Sequence, residues 1–344
     1  MKVLILSCNT GEGHNSCAAA LEEECRNQNI PCDTEDALRF ISPEVSRFIS
    51  NWHVRIYRHA PGLFRVGYRA AEDHPAQFHE GSALYRYLTQ GAEKLCGFIA
   101  GSGYDTVICT HTFAALMVSE VVKTHLPNLK TCFIATDYTC SPSVKDSSLD
   151  RYFIPASSLS GDFLGGGVTS ERLRACGIPV RQMFRSSVRK EDAKRAFGIP
   201  ADHKHLVMMC GSMGCGPIMS IARRIGRNLP DDQDLTIVCG TNKQLYRRLQ
   251  RRFYDAKNVH VRSYVKDMAL LMDSADLYLT KPGGISVTEA ASMRLPMVFI
   301  DAVAGWRGVQ QRLLPAHGRR GHEGRRPKEI ARTSFACSAH KDRA

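Results

Sequence analysis

The sequence contains no long hydrophobic run, and this absence excludes one class of protein. No uninterrupted apolar stretch reaches the roughly 18–20 residues that a helix needs to cross a bilayer, so we expect no transmembrane helix. The opening segment, residues 1–7, is too short and turns polar too early for a secretory signal peptide. Its apolar run instead predicts a first buried strand.

Paired cysteines and a full dinucleotide signature are missing as well. The chain has 13 cysteines among 344 residues, but no CxxC pair and no Cys/His spacing that suits zinc. We therefore expect small buried thiols in a reducing cytosol, and no metal site. The turn at Gly11 and Gly13 lacks the third glycine of GxGxxG, since Ser16 follows instead, which argues against an NAD(P)-dependent oxidoreductase.

Positive charge is what the chain has in excess, with a net charge of +12 at neutral pH. Residues 305–344 hold ten Lys and Arg against three Asp and Glu, so this last segment carries more than half of the excess. The mildly basic remainder suits anionic lipid surfaces or nucleotide phosphates. Nucleic acid would fit the charge alone, but no recognised nucleic-acid motif is present and we expect no such partner.

Apolar runs alternate with helical stretches, which is typical of βαβ units in a parallel sheet. Strands are predicted at 3–6, 106–109, 131–135 and 151–154, and helices at 17–27 and 113–123. After Pro179 the pattern restarts, with strands at 206–209, 235–238, 259–261, 277–279 and 297–300 and helices at 218–229, 242–253 and 268–273. We predict an α/β chain of two Rossmann-like domains, 1–176 and 177–304, with ligands near the carboxyl ends of the strands.

Residues 40–90 interrupt this alternation with interleaved aromatic and basic side chains. One interpretation is an ordinary amphipathic helix pair that covers the sheet. The other is an interfacial segment whose aromatics enter lipid while its arginines meet anionic headgroups. On that interpretation the membrane-contact residues are Trp52, Arg55, Tyr57, Arg58, Phe64, Arg65 and Tyr68.

The first predicted strand ends in a glycine turn, CNTGEGH at residues 8–14. Glycine lets backbone approach a ligand closely, and the following helix start offers N–H groups and a positive end. His14 in this turn could act as a general base or orient an acceptor hydroxyl. The alternative is a histidine that merely caps the helix.

Two more glycine turns follow predicted strands in the second half. GSMGCGP at 211–217 could cradle phosphate through backbone N–H groups or simply make a tight connection. In TKPGGISVTEA at 280–290 a strand runs into Pro-Gly-Gly and a helix opens, so its first N–H groups could face a diphosphate. Glu289, about one turn inside, could accept both hydroxyls of a ribose or serve only as a partner of the helix dipole.

These segments resemble the donor-site motif of GT-B glycosyltransferases. The resemblance is strongest to the monogalactosyl- and processive glucosyl-diacylglycerol synthases, which are related to the peptidoglycan lipid II glycosyltransferase. It rests on TKPGG at 280–284, TEA at 288–290 and LPMV at 295–298, with further matches TGEGH at 10–14, CTHTF at 109–113, TDYT at 136–139, GIPV at 177–180, GSMG at 211–214, CGTN at 239–242 and residues 268–276. The motifs follow the family's order and spacing from residue 1 to about 305.

The resemblance implies two facing Rossmann-like domains that need no metal and no cofactor, with a UDP-sugar as donor. Its acceptor-side loop maps onto Asn9, Thr10, Gly11, Gly13 and His111. Its nucleotide-sugar contacts map onto Gly211, Ser212, Met213, Gly214, Gly240, Asn242, Tyr264, Pro282, Gly283, Gly284, Thr288 and Glu289. The galactosyl enzymes often carry Asp, a proposed aid to acceptor deprotonation, where this chain has Asn9. Because an amide cannot act as a base, His14 or Asp137 becomes the candidate.

The implied reaction moves a hexose from UDP-glucose or UDP-galactose to a hydroxyl of diacylglycerol or a glycolipid, with inversion at the anomeric carbon. A base takes the acceptor proton, while N–H groups at helix starts stabilise the leaving diphosphate. We expect a peripheral enzyme at the cytoplasmic face of the cell membrane, with an anionic membrane surface as partner. The alternatives are a UDP-sugar epimerase of GT-B fold, which would not need the aromatic-basic segment, and an inactive lipid-binding remnant.

The likeness breaks at Trp306. The family continues with a Gly-Gln-Glu or Gly-Cys-Glu turn and a later Asn that hold the sugar, whereas this chain reads GWRGVQQR at 305–312 and then becomes rich in Arg, Gly, His and Pro. From this break we predict a reading-frame shift at Trp306. One chosen set of codons shows that it is feasible, since restoring a C and a G makes them encode Cys-Glu-Gly-Ala-Tyr-Asn-Ser-Ala-Phe. On this hypothesis residues 305–344 form a disordered tail, the second domain is incomplete and activity is impaired. The alternative is a natural divergent tail.

Overall fold

The computed structural model describes residues 1–59, 75–300 and 322–323. The chain divides into two compact units, Met1–Arg181 and Gln182–Ala344, a few residues after the division expected at 176. Each unit is built on one parallel sheet with helices in the crossover connections. The predicted α/β class with two Rossmann-like halves is confirmed.

The first unit contains a six-stranded sheet in the order β2-β1-β3-β4-β5-β6. Its strands are β1 Val3–Ser7, β2 Cys32–Asp36, β3 Thr106–Cys109, β4 Lys130–Ile134, β5 Arg151–Ile154 and β6 Leu173–Ala175. Its helices are α1 Glu12–Asn27, α2 Leu38–Ile41, α3 Pro43–His59, α4 Ala83–Thr89, α5 Ala92–Ser102, α6 Thr112–Thr124 and α7 Ser160–Gly165. Short 3-10 turns occupy Pro75–Phe78, Pro142–Asp146, Ser157–Leu159 and Ser170–Arg172.

The second unit contains a six-stranded sheet in the order β12-β11-β10-β7-β8-β9. Its strands are β7 Lys204–Met209, β8 Gln233–Val238, β9 Val259–Arg262, β10 Leu277–Thr280, β11 Met297–Phe299 and β12 His322–Glu323. Its helices are α8 Lys190–Phe197, α9 Ile218–Gly226, α10 Lys243–Arg252, α11 Met268–Ser274 and α12 Gly284–Ser292, preceded by a 3-10 turn at Gln182–Phe184. The tail expected at 305–344 lies outside the described residues except for β12, which pairs with β11.

Burial explains which strands could be predicted from the sequence. The central strand β1 is buried along its whole length and pairs in parallel with β2 and β3, so its residues are almost all apolar. Every strand predicted from an apolar run is present. Three strands were not predicted. β2, with the sequence CDTED, and β6, with LRA, lie at the two edges of the first sheet and are partly solvent-exposed. β12 lies in the segment that was expected to be a disordered tail.

The twelve cysteines that the structure describes are free of disulfide bonds, but only six of them are buried, so the expectation of buried thiols holds for half of this set. Cys8, Cys17 and Cys109 are buried beneath the first sheet's helices or within its strands. Burial raises the pKa of Cys17 and of Cys132 to about 12, so these thiols stay protonated at neutral pH. No helix among the described residues is both long enough and apolar enough to span a membrane.

A buried carboxylate ties α8 to the second sheet. Asp276, 8% exposed at the start of β10, accepts a hydrogen bond from Lys190 Nζ at 2.8 Å and lies 3.5 Å from Lys194 Nζ. It also accepts the backbone N–H of His205 at 3.0 Å. Desolvation raises the pKa of Asp276, but these hydrogen bonds and the two lysine charges outweigh it and hold the pKa below its usual value.

This arrangement predicts that Asp276→Asn destabilises the second unit. Because the folded-state pKa is depressed, the stabilisation exists above the unfolded-state pKa near 4 and is lost as pH falls through the folded-state value. We expect a loss of about 3 kcal/mol at pH 7, measured by urea denaturation followed by circular dichroism. The difference between the variant and the parent should shrink below about pH 4.

Asp255→Asn is the matched control, since Asp255 is exposed and has no ion pair in the described part of the chain. It should stay within about 0.5 kcal/mol of the parent. Equal unfolding midpoints for the two variants at pH 7 would refute the proposed role of the buried pair.

Candidate functional site

His14 connects three strand ends at the carboxyl edge of the first sheet. It lies in the first turn of α1, directly after the turn that follows β1. Its Nδ1 is 2.9 Å from the carbonyl oxygen of Thr110, after β3, and 2.9 Å from Oγ1 of Thr136, after β4. A carbonyl oxygen can only accept, so Nδ1 donates to it and the proton-accepting lone pair of the neutral imidazole is on Nε2.

His111 supports the same corner of the first unit. It is buried, and its Nδ1 accepts the backbone N–H of Phe113 at 3.0 Å, which caps the start of α6. Its ring meets the His14 ring edge-on, with centroids 4.5 Å apart. The structure thus brings together two histidines that the sequence had placed 97 positions apart. Asp137, half-buried, follows Thr136 at the same sheet edge.

Asn9 is held by side chains that the sequence did not identify. Its amide Nδ2 donates to Oδ2 of Asp36 at 3.0 Å, and its Oδ1 accepts from Asn15 Nδ2 at 3.0 Å. Asp36 is 8% exposed and also accepts from Ser46 Oγ on α3 at 2.5 Å. An Asp at position 9 would set two carboxylates about 3 Å apart, where both cannot ionise readily. Asn9 therefore positions the loop and takes no proton.

The remaining residues of this loop shape it through their backbone. Thr10 N–H donates to the carbonyl of Cys8 at 2.8 Å, which closes the turn. Gly11 precedes α1 in an extended conformation, and a Cβ placed there would meet nothing within 4 Å. Space beside the backbone, rather than an unusual φ, is what this glycine provides, while Gly13 belongs to the first turn of α1.

In the second unit, four loops gather at the carboxyl edge of the sheet. They follow β10, β7, β8 and β9, which are consecutive neighbours in the strand order. They carry all of the predicted nucleotide-sugar residues that precede α12, because parallel neighbours end at the same edge. Tyr264, in the loop after β9, is 67% exposed, and Ser212 and Met213, after β7, are half-buried.

The loops after β7 and β8 interlock through two glycines. Gly214 and Gly240 have φ of +56° and +57°, in the left-handed region. A Cβ at Gly214 would lie 2.1 Å from the carbonyl oxygen of Cys239, and one at Gly240 would lie 2.0 Å from that of Ser212. Both glycines are therefore required by conformation and by close backbone approach.

Asn242 joins this interlock to the helix that follows. Its Nδ2 donates to the carbonyl of Gly214 at 2.9 Å, and its Oδ1 accepts the N–H of Leu245 at 2.9 Å as the N-cap of α10. The Thr241 N–H donates to the carbonyl oxygen of Ser212 at 2.8 Å. The Asn242 side chain therefore holds the loops after β7 and β8 together. Gly211, with φ of +69°, begins the loop after β7.

The start of α12 carries no side-chain cap. Gly283 is its N-cap residue, in an extended conformation, and the first turn holds no acid, so the positive end of this helix points to the sheet edge without a side-chain counter-charge from its own cap. Pro282 and Gly284 are buried on either side. Thr288 Oγ1 donates to the Gly284 carbonyl at 2.7 Å, so this hydroxyl bonds within its own helix.

Glu289 is half-buried on α12, near strand β10. Burial raises the pKa of Tyr278 on that strand, and the negative charge of Glu289 adds to the effect. The structure therefore sets an acidic side chain next to the second unit's sheet, one turn past the uncapped helix start. Among the described residues, no group of three or more His, Cys, Asp or Glu is placed to hold a metal ion.

Helix α3 exposes an aromatic pair that the sequence interpretation named only in part. Trp52 is 48% exposed and stacks on Phe48, which is 63% exposed, with centroids 5.8 Å apart. The spacing of four residues places both on one helix face and could have revealed Phe48. Arg55 is exposed on the same helix. The side chains of Tyr57, Arg58, Phe64, Arg65 and Tyr68 lie outside the described residues.

The glycine interlock predicts that Gly240→Ala weakens nucleotide binding. The added Cβ forces the two loops apart by more than an ångström, so we expect the dissociation constant for UDP to rise at least tenfold by calorimetric titration. Gly97→Ala is the control, because a Cβ there meets nothing within 4 Å. Unchanged UDP affinity in a folded Gly240→Ala protein would show that the loops do not shape the site.

The chain is similar to proteins of known family. Residues 14–180 match the family model of monogalactosyldiacylglycerol (MGDG) synthase, and residues 205–310 match that of the glycosyltransferase family 28 C-terminal domain. The processive diacylglycerol β-glucosyltransferase of Staphylococcus saprophyticus is 24% identical over 308 residues, which cover 88% of this chain and 76% of that protein.

Two solved structures show the same fold at low sequence identity. MurG of Acinetobacter baumannii superposes with a TM-score of 0.61 at 14% identity, covering 98% of this chain and 90% of that one. The UDP-GlcNAc 2-epimerase of Neisseria meningitidis, bound to UDP-GlcNAc, superposes with a TM-score of 0.64 at 14% identity, covering 99% and 92%. With both family models matched in order, the chain belongs to the monogalactosyldiacylglycerol synthase and processive diacylglycerol glucosyltransferase family of GT-B glycosyltransferases.

Proposed function

We propose that the protein transfers a hexose from a UDP-sugar to a hydroxyl of diacylglycerol or a glycolipid, as a peripheral enzyme at the cytoplasmic face of a membrane. The observation that carries this proposal is the start of α12, which has no side-chain cap. The strand before it, β10, lies next to β7, and the interlocked glycine loops follow β7 and β8. Such a helix start, with glycine backbone around it, suits a diphosphate. The family match supplies the class of reaction.

In the second unit, the diphosphate of the donor binds the N–H groups of α12 and of the loop that begins at Gly211. Glu289 accepts hydrogen bonds from the ribose hydroxyls, since an ionised carboxylate offers acceptors to both. As the bond to the sugar breaks, negative charge builds on the diphosphate. The fixed backbone dipoles at the helix start stabilise that charge without reorganising.

In the first unit, His14 takes the proton of the acceptor hydroxyl on Nε2. The bond from Nδ1 to the Thr110 carbonyl fixes the ring and makes Nε2 the more basic atom in the reaction. Asp137 at the same edge is the second candidate for this role. Asn9 is excluded as a base by its chemistry and serves to hold the loop.

The lipid acceptor is supported by the names of the relatives and by the exposed aromatic pair of α3. Diacylglycerol is the acceptor named for the staphylococcal glucosyltransferases. Stacked, exposed Phe48 and Trp52 beside exposed arginines are typical of a helix that contacts a lipid–water interface. A UDP-sugar epimerase shares the fold but has no use for such a surface.

Radiolabelled transfer from UDP-glucose and UDP-galactose to diacylglycerol in mixed vesicles tests the proposal. It should be run on this chain and on a version with the reading frame restored at Trp306, because we expect the sugar-holding turn to be present only in the latter. A labelled glycolipid on thin-layer chromatography supports the proposal. Epimerised UDP-sugar in acceptor-free reactions, or no glycolipid from either version, would reject it.

Glu289→Gln should weaken UDP binding while leaving the fold intact. Replacing a charged acceptor with a neutral one at a ribose costs about 1.5–3 kcal/mol, which is roughly a 10- to 100-fold higher dissociation constant. Calorimetric titration with UDP measures it, and Glu191→Gln, an exposed acid in the same unit, is the control. Equal affinities for the two variants would remove Glu289 from the ribose site.

His14→Gln should lower kcat in the active version by about 10²- to 10⁴-fold, since glutamine can hydrogen-bond but cannot take the proton. UDP affinity should not change, because His14 belongs to the first unit. His125→Gln, an exposed histidine at the end of α6, is the control. A kcat within threefold of the parent would transfer the role to Asp137, which Asp137→Asn then tests.

A further inference from the structure

Helix α10 has one apolar face and one face of a single charge sign. Leu249 is fully buried in the core of the second unit, and Leu245 and Tyr246 pack against that core from the same side. Every exposed residue of the helix is Lys, Arg or Gln, namely Lys243, Gln244, Arg247, Arg248, Gln250, Arg251 and Arg252. We call the five cationic residues of this set the α10 basic face.

The α10 basic face has no carboxylate partner among the residues that the structure describes. Other helices of the chain place an acid within reach of their arginines and form exposed ion pairs. These pairs are Arg26 with Glu22, Arg47 with Glu44, and Arg195 with Asp192, at 3.1, 2.9 and 2.9 Å. The exposed faces of those helices mix both signs of charge, whereas the exposed face of α10 carries positive charge alone.

The arrangement also works against the helix itself. Lys243 and Arg247, Arg247 and Arg251, and Arg248 and Arg252 are each four residues apart, where like charges repel and destabilise a helix. Only the last-turn arginines gain from the negative helix end. The fold therefore tolerates a repulsion that a bound anionic surface would relieve.

Neighbouring elements extend this surface. A Cβ on Gly226 of α9 would lie 2.6 Å from the ring of Phe253, so α9 and the end of α10 pack directly together. Helix α9 has no acid and exposes Arg223, and Arg227, the residue directly after the helix, is exposed as well. Just beyond α10, Tyr254 is 86% exposed. The nearest acids along the chain, Asp231, Asp232 and Asp255, lie in the loops outside both helices.

We propose that the α10 basic face docks on the anionic headgroups of a lipid bilayer, as a membrane contact of the second unit separate from that of α3. A straight helix side fits a planar surface, guanidinium groups bind phosphodiesters, and an exposed tyrosine at the helix end suits the lipid interface. The inference rests on the proposed lipid acceptor, which brings the protein to a membrane, and it adds where the second unit touches it.

Vesicle sedimentation of the full chain, without UDP-sugar or diacylglycerol, tests the proposal. Vesicles of phosphatidylcholine with about one third phosphatidylglycerol are compared with phosphatidylcholine alone, at roughly 0.1 M salt. In the variant R247Q/R248Q/R251Q/R252Q, we expect the partition coefficient on anionic vesicles to fall on the order of 10²-fold, with several-fold lost per charge. Binding to neutral vesicles should not change.

The matched control is R185Q/R189Q/R195Q/K266Q, which removes the same charge from exposed positions elsewhere in the second unit. It should stay within about threefold of the parent. Residues 305–344 carry their own positive charge, but they are identical in all of the proteins, so their contribution cancels. A four-site Arg→Lys variant of α10 should restore most of the binding, because it restores the charge.

Equal partition of the α10 variant and the control on anionic vesicles would overturn the proposal. So would a loss that appears only with a duplex oligonucleotide and not with vesicles, which would identify the surface as a nucleic-acid site. Thermal unfolding by circular dichroism checks that both variants fold, and R247Q/R251Q serves as a milder second variant. Transfer in detergent micelles is measured separately, so its failure would reject the proposed function without altering the vesicle result.

Discussion

Every strand pair that the structure describes is parallel, and this single constraint determines where the candidate site residues of each unit lie. Parallel neighbours deliver their carboxyl ends to one edge, so loops that are far apart in sequence become adjacent there. In the first unit the ends of β1, β3 and β4 meet at His14. In the second unit the loops after β10, β7, β8 and β9 line one edge.

At that edge of the second unit, backbone takes the place of side chains. Gly214 and Gly240 interlock two loops at distances that no Cβ would allow, and α12 begins with glycine and no side-chain cap. The consequence is a surface of N–H groups and a positive helix end held by a rigid sheet. Fixed dipoles of this kind need no rearrangement when charge develops on a leaving group.

In the first unit, a buried carboxylate organises the loop that carries His14. The only carboxylate that Asn9 contacts among the described residues, Asp36, is buried, and it is occupied by the amide of Asn9 and the hydroxyl of Ser46. Burial, with the Asp36 charge as the second cause, raises the pKa of Cys8 well above its usual value and leaves that thiol neutral. His14, in the same loop, is held by hydrogen bonds to the loops that follow β3 and β4.

The sequence by itself determined the parts that depend on local pattern. Buried parallel strands need continuous apolar runs, so β1, β3, β7 and β8 could be located from the sequence, and glycine turns after strands marked the edges where His14 and Gly283 lie. The edge strands β2 and β6 could not be predicted in this way, because neither contains a continuous run of apolar residues.

Only the tertiary structure decided which partners these residues have. Nothing local links Asn9 to Asp36, His14 to Thr110 and Thr136, or Gly240 to Ser212, because each contact joins loops separated by a whole helix and strand. The same holds for the charge of α10, which pairs with no acid in the described part of the second unit. Local pattern fixes the strands and turns, while the packing of distant segments fixes the contacts that give them a chemical role.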